Sequence, residues 1–243
     1  MSSKLVTAIP SVPITESRPV PTDLDNKLPH PGVPRANKAV SVEKPNGSPA
    51  HLAREDYTVM QQHVAFFDRD NDGVLWPWDT YIGFRRLGFG RIISTLAVPF
   101  IHASFSYPTA PSILPDPFFR INMKNMHRCK HGSDAEVYDT EGRFVPEKFE
   151  ELFSKYDRNN KGGLSWEDIQ AMILANMNIV DPVGWTAERL EWWVLYLLAA
   201  DDNGVVSKEK IRAQYDGSLW YQVAEEVEAK GRARSAAQKA KWQ

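Results

Sequence analysis

An acidic segment in the first half of the chain carries the residues best suited to chemistry, D-R-D-N-D-G-V-L-W-P-W-D, which begins at Asp68. Its oxygen-bearing residues fall at positions 1, 3, 5, 7 and 12 of a twelve-residue loop, the spacing that wraps a chain around a calcium ion. Glycine at position 6 permits the sharp turn that such a loop requires. The predicted metal ligands are the side chains of Asp68, Asp70, Asp72 and Asp79 and the carbonyl oxygen of Val74.

The last position of this loop departs from the usual pattern. Glutamate normally closes the loop because it reaches the ion with both oxygens, whereas Asp79 is one methylene shorter. We therefore expect weaker calcium binding, or a preference for the smaller magnesium ion. The alternative interpretation is an acidic surface turn that holds no ion.

Apolar residues at helical spacing flank the acidic loop on both sides. Met60, Val64 and Phe67 precede it, and Tyr81 and Phe84 follow it. This periodicity predicts a helix before the loop and another after it. The arrangement is typical of an EF-hand.

The same design returns twice further along the chain. Residues 157–168 read D-R-N-N-K-G-G-L-S-W-E-D, but Lys161 puts a cation at position 5, so we expect weak metal binding or none. Residues 199–210 keep Gly204 at position 6 and lack carboxylates at positions 1 and 12, which indicates a structural relic. An alternative is that both segments are simple turns between helices. Apolar residues at position 8 predict short two-stranded ladders between paired loops: Leu75, Leu164 and Val206.

An apolar run at residues 92–107 separates the first loop from the second. Spanning a bilayer as a helix takes about 20 mostly apolar residues, and this run is shorter and contains Pro99 and His102. Four prolines follow within ten residues and predict a bend, because proline removes a backbone donor and disfavours helix at the preceding residue. A bent apolar element suits insertion into one lipid leaflet. The alternative is a buried core helix followed by a proline-rich loop.

Composition places the chain among ordinary globular proteins, with 243 residues, 42% hydrophobic and 25% charged. A net charge of -2 gives no general excess of positive charge that would bind the phosphates of nucleic acid. One cysteine, Cys129, excludes an internal disulfide, and the N-terminal residues do not resemble a secretory leader. We therefore expect a location that faces the cytosol.

Histidines are the other candidates for chemistry. His63 shares the apolar face of the helix that precedes the acidic loop, where a satisfied core histidine is the alternative. His127 and His131 lie four residues apart, but they lack the glutamate and the further ligand of a zinc hydrolase site. We therefore do not predict zinc chemistry.

These features together resemble the caleosin family, the calcium-binding peroxygenases of lipid droplets. The resemblance covers roughly residues 52–222. It is carried by L-A-R-E-D-Y-T-V-M-Q-Q-H-V-A-F-F-D with the acidic loop, the proline cluster, H-R-C-K-H-G-S-D-A-E-V-Y-D-T-E-G-R-F-V-P and S-K-E-K-I-R-A-Q-Y-D-G-S-L-W. It implies a protein with haem b and calcium as cofactors that transfers oxygen from a fatty-acid hydroperoxide to an unsaturated lipid. The implied location is the lipid-droplet monolayer or the endoplasmic reticulum membrane.

The resemblance also implies roles for individual residues. His63 and His131 correspond to the family's haem-associated histidines, and Asp116 and Arg120 depart from its proline-knot pattern. Two tightly bound histidines would leave no coordination position for a hydroperoxide. One histidine would therefore be the axial ligand while the other dissociates or acts as the distal acid and base, and the assignment stays open. Calcium would order the helix that carries His63.

The predicted fold is mostly α-helical, with EF-hand-like units, one competent and one or two degenerate, a short apolar lipid-associating segment and a proline knot. Two rival functions are a non-enzymatic calcium-responsive coat protein of lipid droplets and a soluble calcium sensor, and homo-oligomerisation is left open. The predicted segments are a disordered or extended arm, the first EF-hand, the apolar segment with its prolines, the haem-associated region with degenerate hands, and a charged tail: residues 1–50, 51–91, 92–120, 121–222 and 223–243.

Overall fold

Helices dominate the computed structural model, which describes Ser11 and residues 23–49, 51–52, 54 and 56–240. Ten helices and four short strands form in this part of the chain, which confirms the mostly α-helical prediction. The helices are α1 Leu24–Lys27, α2 Val59–Ala65, α3 Pro77–Arg86, α4 Arg91–Thr109, a 3₁₀ helix Met123–Cys129, α5 Pro146–Tyr156, α6 Trp166–Asn176, α7 Pro182–Ala199, α8 Lys208–Tyr215 and α9 Ser218–Ala240. The strands are β1 Val74–Leu75, β2 Ile121–Asn122, β3 Gly163–Ser165 and β4 Val205–Ser207.

The chain divides into two compact units that alternate along the sequence. The first unit comprises residues 1–47, 131–139 and 143–212, and the second comprises residues 48–130, 140–142 and 213–243. Neither unit coincides with a single predicted segment, because both combine pieces that are distant in sequence.

In the second unit, α2 and α3 flank the acidic loop as predicted. Helix α2 begins after Thr58, whose hydroxyl accepts the Gln61 N–H at 3.3 Å while the Gln61 side chain accepts the Thr58 N–H at 2.9 Å. This reciprocal pair satisfies two backbone donors at the helix start. Helix α3 begins with Pro77, whose fixed φ and missing N–H suit the first helical position.

Each of the three loops contributes a strand to one of two short antiparallel ladders. Strands β3 and β4 pair Leu164 with Val206, two of the position-8 residues for which a short ladder was predicted, and so join the second and third loops. Strand β1 pairs Leu75 with Ile121, in the segment that follows the proline cluster. The acidic loop is therefore partnered by a segment in which no loop was predicted.

Part of the predicted disordered arm is folded. Within residues 23–49, Leu24, Leu28 and Val40 form a buried apolar cluster, and Arg35 pairs through its backbone with Phe144. The prediction is wrong for this stretch because these apolar residues have packing partners that the high proline content concealed. The remaining residues of the arm lie largely outside the described residues.

Helix α4 places only part of its apolar surface against the core, where Ile101 and Phe105 pack. It buries polar side chains, those of Ser94, His102, Ser106 and Thr109. Its exposed apolar positions recur every three or four residues and form what we call the α4 stripe: Ile92, Leu96, Pro99, Ala103 and Tyr107. The alternative of a buried core helix therefore does not describe α4. Within the described residues, no helix has both the length and the hydropathy to cross a membrane.

The first unit contains the second and third helix–loop–helix segments. Helices α5 and α6 flank the loop at residues 157–168, and α7 and α8 flank the loop at residues 199–210. Nearly inaccessible apolar side chains form the core of this unit: Phe144, Phe149, Leu164, Ile169, Met172, Ile173, Leu195 and Ile211.

Candidate functional site

The acidic loop brings three of its predicted ligands together. One carboxylate oxygen from each of Asp68, Asp70 and Asp72 lies within 4.8 Å of the other two. Gly73 has a φ of +77°, and its N–H donates to Asp68 Oδ2 at 3.0 Å. The left-handed turn at glycine thus folds the loop back toward its first residue.

Asp68 supplies a second, independent sign of a cation site. The residue is only 4% exposed, and its Oδ1 accepts no hydrogen bond from the described residues. Burial raises the pKa of Asp68, and the neighbouring Asp70 and Asp72 carboxylates raise it further. The hydrogen bond from the Gly73 N–H lowers this pKa but does not cancel the increase. A buried carboxylate oxygen without a donor is costly, and a bound divalent cation would satisfy it. The loop residues therefore fit calcium or magnesium.

The remaining two predicted ligands lie where the loop joins its neighbours. Val74 belongs to β1 and pairs with Asn122. Asp79 lies at the start of α3, where its Oδ2 accepts the Trp76 N–H at 3.0 Å. The closing carboxylate thus caps α3, and its weakness as a metal ligand stays a prediction.

The two residues that depart from the proline-knot pattern bond to each other. Arg120 Nε lies 2.7 Å from Asp116 Oδ2, and this bond lowers the pKa of Asp116. The Arg120 guanidinium also lies 5.1 Å from the ring centroid of Trp76, at position 9 of the acidic loop. The expected charges at this bend therefore neutralise each other, and the Arg120 contact with Trp76 connects the bend to the acidic loop.

His102 makes a second connection from α4. Its Nδ1–H donates to the Phe119 carbonyl at 2.6 Å, and its Nε2 lies 2.8 Å from the Thr80 hydroxyl, which donates to it. Burial lowers the pKa of His102, which favours this neutral arrangement. The bend after α4 and the helix after the acidic loop are thus held by one side chain.

His63 is fixed by its surroundings in the second unit. Its Nδ1 lies 2.7 Å from the Gln214 carbonyl oxygen, so this nitrogen carries the proton and donates. Its ring meets that of Trp220 edge to face at 5.5 Å, and Trp220 Nε1 donates to the His63 carbonyl at 3.1 Å. The neutral imidazole therefore carries its lone pair on Nε2, the tautomer that a metal-ligating histidine needs when Nδ1 is anchored.

A tight turn between α8 and α9 supports His63. Gly217 has a φ of +73°, and a Cβ there would lie 2.4 Å from the Gln62 carbonyl oxygen and 2.9 Å from the His63 Cα. Hydroxyls of Ser48 and Ser218 each donate to Asp216 at 2.6 Å and hold the turn in place. Only glycine permits this close approach.

His131 lies in the first unit and has a different environment. Its Nδ1 is 3.2 Å from Asp181 Oδ2 and 3.2 Å from the Ser133 backbone nitrogen. A protonated Nδ1 donates to Asp181, and an unprotonated Nδ1 accepts the Ser133 N–H. Nδ1 of His131 therefore faces both an acceptor and a donor, whereas Nδ1 of His63 faces a carbonyl oxygen that only accepts.

The sequence analysis named both histidines but missed their partners. Gln214 contributes a backbone carbonyl, which has no sequence signature, and Asp181 lies fifty residues from His131 along the chain. The segment D-G-S-L-W was noted only as part of the resemblance, although its glycine is the residue that contacts α2.

Fold and site define a helical protein with one loop suited to a divalent cation, anchored histidines and an exposed apolar helix. Residues 55–224 match the family described as "Caleosin related protein". The chain belongs to the caleosin family.

Curated relatives carry names that agree with this family. The chain is 44% identical over 219 residues to "Peroxygenase" of Lilium longiflorum, covering 90% of this chain and 91% of the relative. It is 42% identical over 176 residues to "Probable peroxygenase 4" of Arabidopsis thaliana, covering 72% and 90%. "Probable inactive peroxygenase-like protein" of Arabidopsis thaliana is 37% identical over 141 residues, covering 58% and 67%. No solved structure matches the chain.

Proposed function

We propose that this caleosin is a calcium-binding peroxygenase with haem b, which transfers oxygen from a fatty-acid hydroperoxide to an unsaturated lipid. The observation that carries the proposal is the anchored His63, whose Nδ1–H donates to the Gln214 carbonyl at 2.7 Å. Support also comes from the relatives named peroxygenase, which match most of the chain. Bound haem would supply the iron that accepts and passes on the hydroperoxide oxygen.

The two histidines take different roles in this proposal. His63 would hold the haem iron, because its carbonyl partner fixes the Nε2 tautomer and the orientation of the ring. His131 handles the proton, because Asp181 can stabilise its imidazolium while the Ser133 N–H can support the neutral ring. The different partners of the two Nδ1 atoms support this division of roles.

The proposed location is the surface of a lipid droplet or of the endoplasmic reticulum. The α4 stripe supports it, since five apolar positions of one helix face are exposed. The buried hydroxyls of the same helix need no water, because Ser94 donates to the Gly90 carbonyl at 3.0 Å and Thr109 to the Phe105 carbonyl at 2.8 Å. The acidic loop is the proposed EF-hand calcium site.

Purified full-length protein, loaded with haem, tests the enzymatic proposal. His63→Ala is expected to lose the Soret band and to regain it with added imidazole. His131→Ala is expected to keep the Soret band and lose oxygen transfer by about 10²-fold or more, the usual contribution of a positioned acid and base. His127→Ala is the matched control and should change neither readout.

A wild-type protein without a Soret band would overturn the proposal and favour the non-enzymatic coat protein. One relative bears the name "Probable inactive peroxygenase-like protein", so this second function has a precedent in name. Retention of haem and turnover in both histidine variants would also contradict the proposal.

A further inference from the structure

The second loop, in the first unit, contains a positively charged side chain. Lys161 occupies position 5, and its Nζ lies 3.4 Å from Asp157 Oδ1 and 2.9 Å from Asp168 Oδ2. Asp157 is position 1 of the loop and Asp168 is position 12. These are the two carboxylates that a calcium ion would join in a working loop.

The backbone of this loop keeps the shape of a metal-binding turn. Asp157 accepts the N–H groups of Lys161 and Gly162, each at 2.8 Å, and Gly162 has a φ of +75°. Gly163 lies so close to β4 that a Cβ would be 2.2 Å from the Val206 carbonyl oxygen. The loop is therefore closed and paired although its centre holds an ammonium group.

The third loop is closed by a lysine in a related way. Lys210 at position 12 donates from Nζ to the carbonyl oxygen of Ala199, at position 1, over 2.9 Å. Asp201 accepts the Asn203 and Val205 N–H groups, each at 2.9 Å, and so shapes the turn between them. In both loops a lysine side chain links the first loop position to the last, as a bound metal ion would do.

We propose that Lys161 and Lys210 replace metal ions in the paired loops, so that the second and third loops form a module that stays closed without any divalent cation. Lys161 is the stronger case, because its ammonium contacts two carboxylates in the place where calcium would lie. Burial lowers the pKa of Lys161, but its bonds with Asp168 and Asp157 outweigh this and raise it. The ammonium is thus retained throughout the physiological pH range.

Lys161→Asp tests the proposal by restoring an oxygen ligand at position 5. Metal-free full-length protein is titrated with calcium by isothermal calorimetry, and the variant is expected to bind one more calcium ion per chain than wild type. The number of calcium ions that wild type binds depends on the first loop. The readout is therefore the difference between the variant and wild type in the number of bound calcium ions. Asp70→Asn in the same chain isolates the new site, and the test therefore stands even if the first loop binds no calcium.

Lys124→Asp is the matched control, since it makes the same charge change at an exposed lysine of the 3₁₀ helix and should add no site. Lys161→Met removes the ammonium without adding a ligand, and it is expected to lower the unfolding temperature equally with and without calcium. Two results would overturn the proposal. The first is that wild type binds calcium at the second loop, which the loss of one bound ion in Asp157→Asn would show. The second is that Lys161→Asp binds no additional ion and Lys161→Met unfolds at the same temperature as wild type.

Discussion

Glu188 is a buried acid on α7 for which the described residues provide no complete set of partners. It is 6% exposed, and its Oε2 accepts no hydrogen bond from the described residues. Burial raises the pKa of Glu188 to about 8, and the nearby Glu191 and Asp134 add to this effect. The residue is therefore held as a neutral acid at neutral pH.

This raised pKa predicts a pH dependence of stability. Between the ordinary pKa of 4.5 and about 8, the unfolded chain releases a proton that the folded chain keeps, so the Glu188 contribution to stability falls as pH rises. Glu188→Gln should remove that slope, and the variant should be more stable than wild type at pH 8 and similar to it near pH 4.5. Denaturant unfolding across this window measures the difference. The exposed Glu225→Gln serves as control, and equal slopes in Glu188→Gln and wild type would contradict the prediction.

At the scale of elements, α4 exposes one row of apolar side chains and buries several polar ones, while Ile101 and Phe105 pack against the core. Leu96 is 66% exposed and Ile92 is 77% exposed, whereas His102 is 2% exposed. Contiguous exposed apolar surface on a soluble protein marks an interaction site. The partners that satisfy the hydroxyls of α4 lie within the helix itself, which suits an environment without water.

A charge in the α4 stripe should therefore weaken lipid binding. Leu96→Asp is expected to lower the partition of the protein onto a phospholipid-coated triacylglycerol emulsion by about tenfold or more, because a buried leucine contributes ~2 kcal/mol. Ser154→Asp adds the same charge at an exposed position of α5 and should leave partition unchanged. Flotation of the emulsion measures the bound fraction. Equal flotation of the two variants would show that the stripe does not contact lipid.

Much of the local structure could be predicted from the sequence, and the long-range connections could not. The acidic loop, its flanking helices and the position-8 residues that form ladders follow from spacing and periodicity, whereas the choice of ladder partner does not. The β1 partner was missed because Ile121 lies in a segment without a loop pattern, and strand pairing between distant segments leaves no local signal. The arm was misjudged because its prolines outnumber the few apolar residues that anchor it.

The whole molecule combines one unit that contains the proposed metal site with another whose loops are closed by lysines. Within the described residues, the one cluster of three acidic side chains suited to a metal ion lies in the second unit: Asp68, Asp70 and Asp72. A ligand that binds only the native state stabilises the part of the structure that it contacts. Removal of divalent cations should therefore affect the two units unequally.

Hydrogen exchange measured by mass spectrometry can detect this inequality. A chelator is expected to increase exchange in the acidic loop and in its ladder partner Ile121–Asn122, because the loop carboxylates then repel one another without an ion. Exchange at Gly163–Ser165 and Val205–Ser207 should stay the same. Asp70→Asn without chelator should reproduce the pattern. A uniform increase in hydrogen exchange across both units would contradict the prediction that only the second unit responds to removal of divalent cations.

The pairing of β1 with β2 has a consequence for biosynthesis. Val74 leaves the ribosome well before Asn122, its ladder partner, and α4 lies between them in the chain. Because chains emerge from their N-terminus, the acidic loop can complete its ladder only after α4 has been synthesised. The α4 stripe therefore leaves the ribosome before the acidic loop can complete its ladder, so exposure of the apolar helix precedes completion of the loop.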